Sequence, residues 1–343
     1  MTKNRIVYLD ILRVLCCFLI VCMHSPMPSD NAISWFNGGL SFLTSPGLVL
    51  FFMISGALVM PVKTDTWTFL KKRLTKVAVP TLFFIAVHLI IKAIKGVETN
   101  WLQTIVSIPF AVSGHGVLWF CYTLVGLYLA APIVSRWLQN VSPKELEFYL
   151  LIWVVTLCYP ILKRFIGVND GTTGMLYYFT GYLGYFVLGY YLHHYPNRLL
   201  LWLLLLLSVV AITAKFGVSY MGFHDDSTGI FYYLSLPVAI IASTMFVAAQ
   251  KMIKSNENNA RTIEKCGGIL TSNLSFGIYL VHIIIMLEVV KEMPFVIDIH
   301  NYIMQTIVIA FLTYLLSWLL AYFISWIPGS EFVIGFHQKK KNK

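Results

Sequence analysis

Charged side chains are scarce in this sequence. Asp, Glu, Lys and Arg make up 12% of its 343 residues, against roughly 25% in a soluble domain, and 58% of the residues are hydrophobic. Such a balance excludes an ordinary water-solvated surface and implies that lipid covers much of the chain. Cysteine is sparse and unpatterned. Cys16, Cys17, Cys22, Cys121, Cys158 and Cys266 form no C-x-x-C pair and no metal-ligand spacing, which argues against a disulfide framework and a zinc site. A polar stretch long enough for a soluble domain is missing, the longest being an Asn-, Lys- and Glu-rich loop near 250–267. With no basic patch on a soluble domain, nucleic acid is not an expected partner. The first apolar run ends Val21-Cys22-Met23-His24-Ser25-Pro26 without a small-x-small cleavage site, so it reads as a retained signal anchor. No internal repeat is evident, and many transporters are built from one.

What the sequence has in abundance is apolar runs of about 20 residues, each long enough to cross a hydrocarbon core of about 30 Å. They lie near 6–25, 42–61, 77–95, 116–134, 146–162, 175–193, 199–219, 230–249, 268–290 and 301–326. The expected fold is an all-α bundle of about ten transmembrane helices in one domain, 1–330, followed by a short basic tail, 331–343. If the N-terminus is inside, Lys and Arg favour the cytoplasmic side by roughly three to one, as the positive-inside rule requires. Both termini are therefore expected in the cytoplasm. The Leu-rich run 199–207 is apolar all round and reads as lipid-facing.

Ionisable groups inside a bilayer are costly and usually face the bundle interior. In the first span Asp10, Arg13, Cys17 and His24 share one helical face, with Arg13 and His24 roughly 16 Å apart along the axis. Asp10 stands three residues before Arg13 and can pair with it. In the ninth span Ser275, Tyr279 and His282 recur at i, i+4 and i+7, again one face; interhelical hydrogen bonding would explain the first two equally well. His115, Trp119 and Tyr122 repeat the spacing at the start of the fourth span, where an interfacial aromatic belt is the plain explanation. Between the second and third spans Lys71-Lys72-Arg73-Leu74-Thr75-Lys76 puts four cations in six residues. Such a cluster suits anionic membrane lipid or a phosphorylated ligand.

Taken in order, these segments resemble the membrane-bound acyltransferase 3 family. Leu9-Asp10-Ile11-Leu12-Arg13 followed by His24 is similar to its LDxLR start and Arg-x10-His pattern. Phe51-Phe52-Met53-Ile54-Ser55-Gly56 resembles its FFxxSG segment, and Ser275 to His282 its late S-x-G-x-Y-L-x-H motif. Arg73-Leu74-Thr75-Lys76 resembles its R-x-x-R element, with Lys76 in place of the second Arg; that departure loses a planar, bidentate fork. Residues 118–129 and 185–192 look like the polysaccharide O-acetyltransferase branch.

The resemblance implies an O-acetyltransferase of the bacterial cytoplasmic membrane. It would move an acetyl group from cytoplasmic acetyl-CoA to a hydroxyl of a cell-surface or lipid-linked glycan. Lys72, Arg73 and Lys76 would receive the CoA phosphates, and Arg13, held by Asp10, would sit beside the thioester. His24 would be the general base or a transiently acetylated nucleophile. Ser275, Tyr279, His282, His115 and Trp119 would orient the acceptor. No metal is implied. Some relatives carry an extracytoplasmic hydrolase-like domain; without one, transfer is expected to go directly to the acceptor or through a separate acyl-accepting protein. A transporter of a small polar solute would use the same buried Arg/His face.

Overall fold

Some helices begin at a side-chain cap, as at Asp65, Asn100, Ser142 and Asn301, and several begin well before the apolar run that crosses the membrane. In the computed structural model, which describes residues 5–28, 32–168, 174–196, 200–220, 229–254 and 268–338, α1 runs Val7–His24, α2 Ser34–Val59 and α3 Thr66–Ile94. The α3 start is fixed by the Asp65 carboxylate, which accepts from the Thr68 N–H at 2.9 Å, a side-chain N-cap. The Lys71–Lys76 cluster therefore rides on the first turns of α3, as a helical overhang below its apolar stretch. Beyond α3 come α4 (Trp101–Ser107), α5 (Trp119–Leu138), α6 (Pro143–Thr156), α7 (Tyr159–Ile166) and α8 (Leu183–His194). The last long helices are α9 (Leu201–Tyr220), α10 (Leu236–Lys254), α11 (Gly268–Glu288) and α12 (Tyr302–Ser325), followed by the single turn α13 (Glu331–Ile334). Among the described residues there is no strand. Outside them lie Arg261, Lys265, Cys266 and the rest of 255–267, His224, Asp225 and Asp226, and the lysine-rich residues 339–343.

Nine segments among the described residues are long and apolar enough to cross a membrane, so the chain is a multi-pass helical membrane protein. The tenth expected span, near 175–193, takes another form. Its helical part is α8, twelve residues and about 18 Å long, too short to cross alone. Every residue from Tyr185 to Leu192 is buried, so α8 is a short helix enclosed by the bundle. It crosses α2 at two glycines. A Cβ on Gly56 would lie 1.8 Å from the Phe186 carbonyl oxygen, and one on Gly189 would lie 1.9 Å from that of Met53. Backbone meets backbone at both points, as small residues permit in membrane helix pairs. At the opposite extreme α9, with its Leu-rich run, has only 22% of its apolar window buried, against 78% for α2. α2 is thus the central post and α9 a lipid-facing one.

Contacts along the bundle define two faces. The starts of α1, α3 and α11 and the segment after α12 meet at one, where Ser272 reaches Asp10 and Phe336 shares a cavity with Arg13 and Arg73. The ends of α1, α3 and α11 meet at the other, where Lys95 pairs with Glu288 and Lys291 reaches the His24 carbonyl. The first and last long helices therefore open and close on the same, Lys/Arg-rich face. Residues 331–338 fold back there as part of the bundle. Ile334 is fully buried, and Gly335 (φ +72°) lies where a Cβ would be 3.3 Å from the Lys76 carbonyl oxygen.

Candidate active site

Asp10 is the hub of the Lys/Arg-rich face. Its carboxylate accepts from Ser272 Oγ at 2.6 Å, Arg5 Nε at 3.1 Å and Arg13 Nη1 at 3.4 Å. Arg5 also donates to Asn273 Oδ1 at 2.9 Å. Helix α1 is thereby pinned to α11, and Arg13 is held by a charge-assisted contact. Cys17, on the same stripe, is buried, and its thiol donates to the Ser275 carbonyl at 3.4 Å.

Arg13 opens into a cavity of about 270 Å³ that is also lined by Arg73, Lys76, Tyr128, Ser275 and Tyr279. Phe51 and Ser55 of α2 and Phe336 also stand in its wall. Segments far apart in sequence thus converge on one space. Arg73 stands 6.0 Å from the ring centroids of both Phe69 and Tyr128, a cation–π setting that fixes the guanidinium at the mouth. Lys72 is exposed and lies outside the lining. Ser275 faces this cavity, with its hydroxyl donating to the Ser272 carbonyl at 2.8 Å.

Tyr279 divides this space from a second group. Its hydroxyl donates to the Val117 carbonyl, and its ring lies 5.2 Å from Phe120 and 5.6 Å from His282. His282 is fully buried. Its Nδ1 donates to the Tyr279 carbonyl, because a carbonyl oxygen can only accept. In the neutral ring Nε2 is then a bare lone pair, with no hydrogen-bond partner among the described residues. The His24 ring stands 5.6 Å away, tilted by 36°. Lys291 fixes the end of α1 beneath it, donating to the carbonyls of His24 at 3.2 Å and Pro26 at 2.7 Å. A cation there satisfies orphan carbonyls and suits the helix dipole.

Trp119 packs against Tyr182 and Tyr233 at 5.3 and 5.4 Å, and the Tyr233 hydroxyl reaches Met23 Sδ at 3.0 Å. It belongs to an aromatic wall beside the end of α1. His115 caps the short helical turn Gly116–Leu118, its Nδ1 accepting from the Val117 N–H at 3.3 Å. Burial, with Lys92 nearby, holds His115 below the ordinary histidine range, so the ring is neutral at pH 7. Asp10, Arg13, Arg73, Lys76 and Ser275 therefore gather on one side of the Tyr279 ring, with His24, His282 and His115 beyond it. Among the described residues no three His, Cys, Asp or Glu side chains are placed to hold a metal ion.

Several residues here carry no sequence signal of their own. Ser272 and Asn273 sit just ahead of the Ser275 motif, and Tyr128 is one of many aromatics. Gly335 and Phe336 follow the last span, where a solvated tail is the natural expectation. Lys291, close to a span end, reads as an ordinary interfacial cation.

Comparison with curated proteins and with solved structures yields no match. The acyltransferase domain model of the acyltransferase 3 family matches residues 6–322, a stretch that contains α1 to α11, most of α12 and every residue of the two groups above except Arg5, Gly335 and Phe336. The chain is a membrane acyltransferase that belongs to the acyltransferase 3 family.

Proposed function

We propose that the protein is an O-acetyltransferase of a bacterial cytoplasmic membrane, of the polysaccharide-modifying branch of its family. It takes acetyl groups from acetyl-CoA at the Lys/Arg-rich, cytoplasmic face and delivers them to a hydroxyl of an extracytoplasmic or lipid-linked glycan. The observation that carries this reading is the cavity in which Arg13, Arg73 and Lys76 meet Tyr279, with the His24–His282 pair on the far side of that ring.

Arg73 and Lys76 at the mouth receive phosphate oxygens as charge-assisted hydrogen bonds; Lys72, exposed nearby, adds a screened attraction. A cavity of about 270 Å³ suits a narrow thioester-bearing arm and leaves the nucleotide outside. Arg13, oriented by Asp10, faces the developing oxyanion. The acceptor oxygen attacks the thioester carbonyl carbon, a C–O bond forms and the C–S bond breaks. The hydroxyl proton passes to the His24–His282 pair and from there neutralises the departing thiolate. Neutral imidazole is suited to that task near pH 7. The Tyr279 side chain must turn aside for donor and acceptor to meet, and its hydroxyl's tie to Val117 is the contact to be exchanged.

Inside-out membrane vesicles supplied with radiolabelled acetyl-CoA test the reading. Alkali-labile label in the envelope glycan, lost in His24→Ala, supports it. Counterflow of an unmodified solute with no such label would replace it with transport.

A further inference from the structure

A second histidine pair adjoins the first, and the transfer chemistry above leaves half of it unused. His88, on α3, is buried, with 7% of its surface exposed, although its helix neighbours Leu82, Phe83 and Ile90 face outward. Its ring stands 5.3 Å from that of His115, tilted by 33°. The turn carrying His115 is pressed onto α3 at this point. Gly114 has φ +82°, and a Cβ there would lie 3.1 Å from Ile85 Cα and 3.4 Å from His88 Cβ. Positive φ and close backbone approach together call for glycine. On its other side the same turn is tied to the helix of His282, through the Tyr279 hydroxyl and the Val117 carbonyl. His282 lies within electrostatic reach of the His24, His115 and His88 rings.

Two atoms in this group are unpaired. His88 Nε2 and His282 Nε2 are buried with no hydrogen-bond partner among the described residues. Native proteins keep few such atoms. His282 Nε2 is an acceptor, its proton being committed at Nδ1. His115, whose Nδ1 accepts from Val117, carries its proton on Nε2 and is a donor. An acceptor at His282 and a donor at His115 complement hydroxyl groups, each of which donates and accepts at once.

We infer that His88 and His115 form the acceptor subsite for a polyhydroxylated ring. The attacking hydroxyl lies at the His24–His282 pair, and a neighbouring hydroxyl of the same sugar is held between His88 and His115. This rests on the acetyl-transfer reading and adds His88 as a binding residue for the acceptor. A subsite of this kind also favours a sugar over water as acceptor, since a water at the His24–His282 pair gains nothing from His88 and His115.

The test uses inside-out membrane vesicles with radiolabelled acetyl-CoA and reads three quantities: label on the envelope glycan, label released as free acetate, and acetyl-CoA affinity. In His88→Ala the ratio of transfer to hydrolysis falls by about tenfold or more, the scale of one lost buried polar contact, while acetyl-CoA affinity holds. His88→Asn, which retains a donor and an acceptor, recovers part of the ratio. An unchanged ratio in His88→Ala overturns the subsite. So does a joint fall of transfer, hydrolysis and acetyl-CoA affinity in both variants, which marks His88 as structural. Absence of acetyl-CoA binding by the unsubstituted protein removes the donor reading itself, a result distinct from loss of the ratio.

Discussion

Lys291 holds His24 by its backbone. The ammonium donates to the His24 carbonyl at 3.2 Å and to that of Pro26 at 2.7 Å, so a residue near the end of one span sets where another ends. Lys291→Met keeps the aliphatic stem and removes the donor. The expected result is a fall in kcat of about tenfold or more, with KM for acetyl-CoA unchanged, because small displacements of a reacting group are costly in rate. Steady-state transfer assays on the vesicle-embedded variant check it; equal changes in kcat and KM would argue for general misfolding instead.

His24→Ala and His282→Ala should each lower transfer by about 10²–10⁴-fold, the usual contribution of a positioned general base, while acetyl-CoA still binds. If the two rings act as one unit, the double variant loses little more than either single one. Additive losses would mean the two histidines work independently.

Asp10 joins Arg5, Arg13 and Ser272. Asp10→Ala leaves two guanidinium groups and a hydroxyl without their common acceptor, and should lower stability by about 1–3 kcal/mol along with acetyl-CoA affinity. Asp10→Asn keeps one acceptor oxygen and should fall between. Thermal unfolding in detergent, read beside acetyl-CoA titration, separates the hub from a dispensable surface pair.

Gly56→Ala or Gly189→Ala should disrupt the crossing of α2 and α8, since the added Cβ meets a carbonyl oxygen at 1.8 or 1.9 Å and backbone cannot swing aside. Overpacking costs about 1–3 kcal/mol or more. Gly126→Ala, with nothing within 4 Å of its Cβ, is the matched control. Yield of folded protein and thermal stability should drop for the first two only.

Much of this architecture is legible in the sequence because lipid imposes a simple rule: long apolar runs become helices, and polar groups within them turn inward. Asp10, Arg13 and His24 on one face of α1, and Ser275, Tyr279 and His282 on one face of α11, follow from helical period alone. The short α8 is different. Hydropathy sees only an apolar stretch, and Tyr185–Leu192 is apolar because protein surrounds it. Hydropathy also marks the membrane core rather than the helix, so the overhang of α3 that lifts Arg73 and Lys76 to the cavity has to be read from the Asp65 cap. Ser275 sits on the Arg13 side of Tyr279, a distinction that motif spacing cannot make. The return of Phe336 to the cavity depends on packing across the whole bundle and has no local signature.

The central claim is that the cavity of Arg13, Arg73 and Lys76 receives the acyl donor. Its most direct test is acetyl-CoA binding to the purified protein in nanodiscs, with Arg73→Ala/Lys76→Ala alongside. The account predicts saturable binding that the double variant weakens by about 10- to 100-fold, the worth of one to two charge-assisted hydrogen bonds. Equal affinity in both proteins, or no binding by the folded unsubstituted chain, would contradict it.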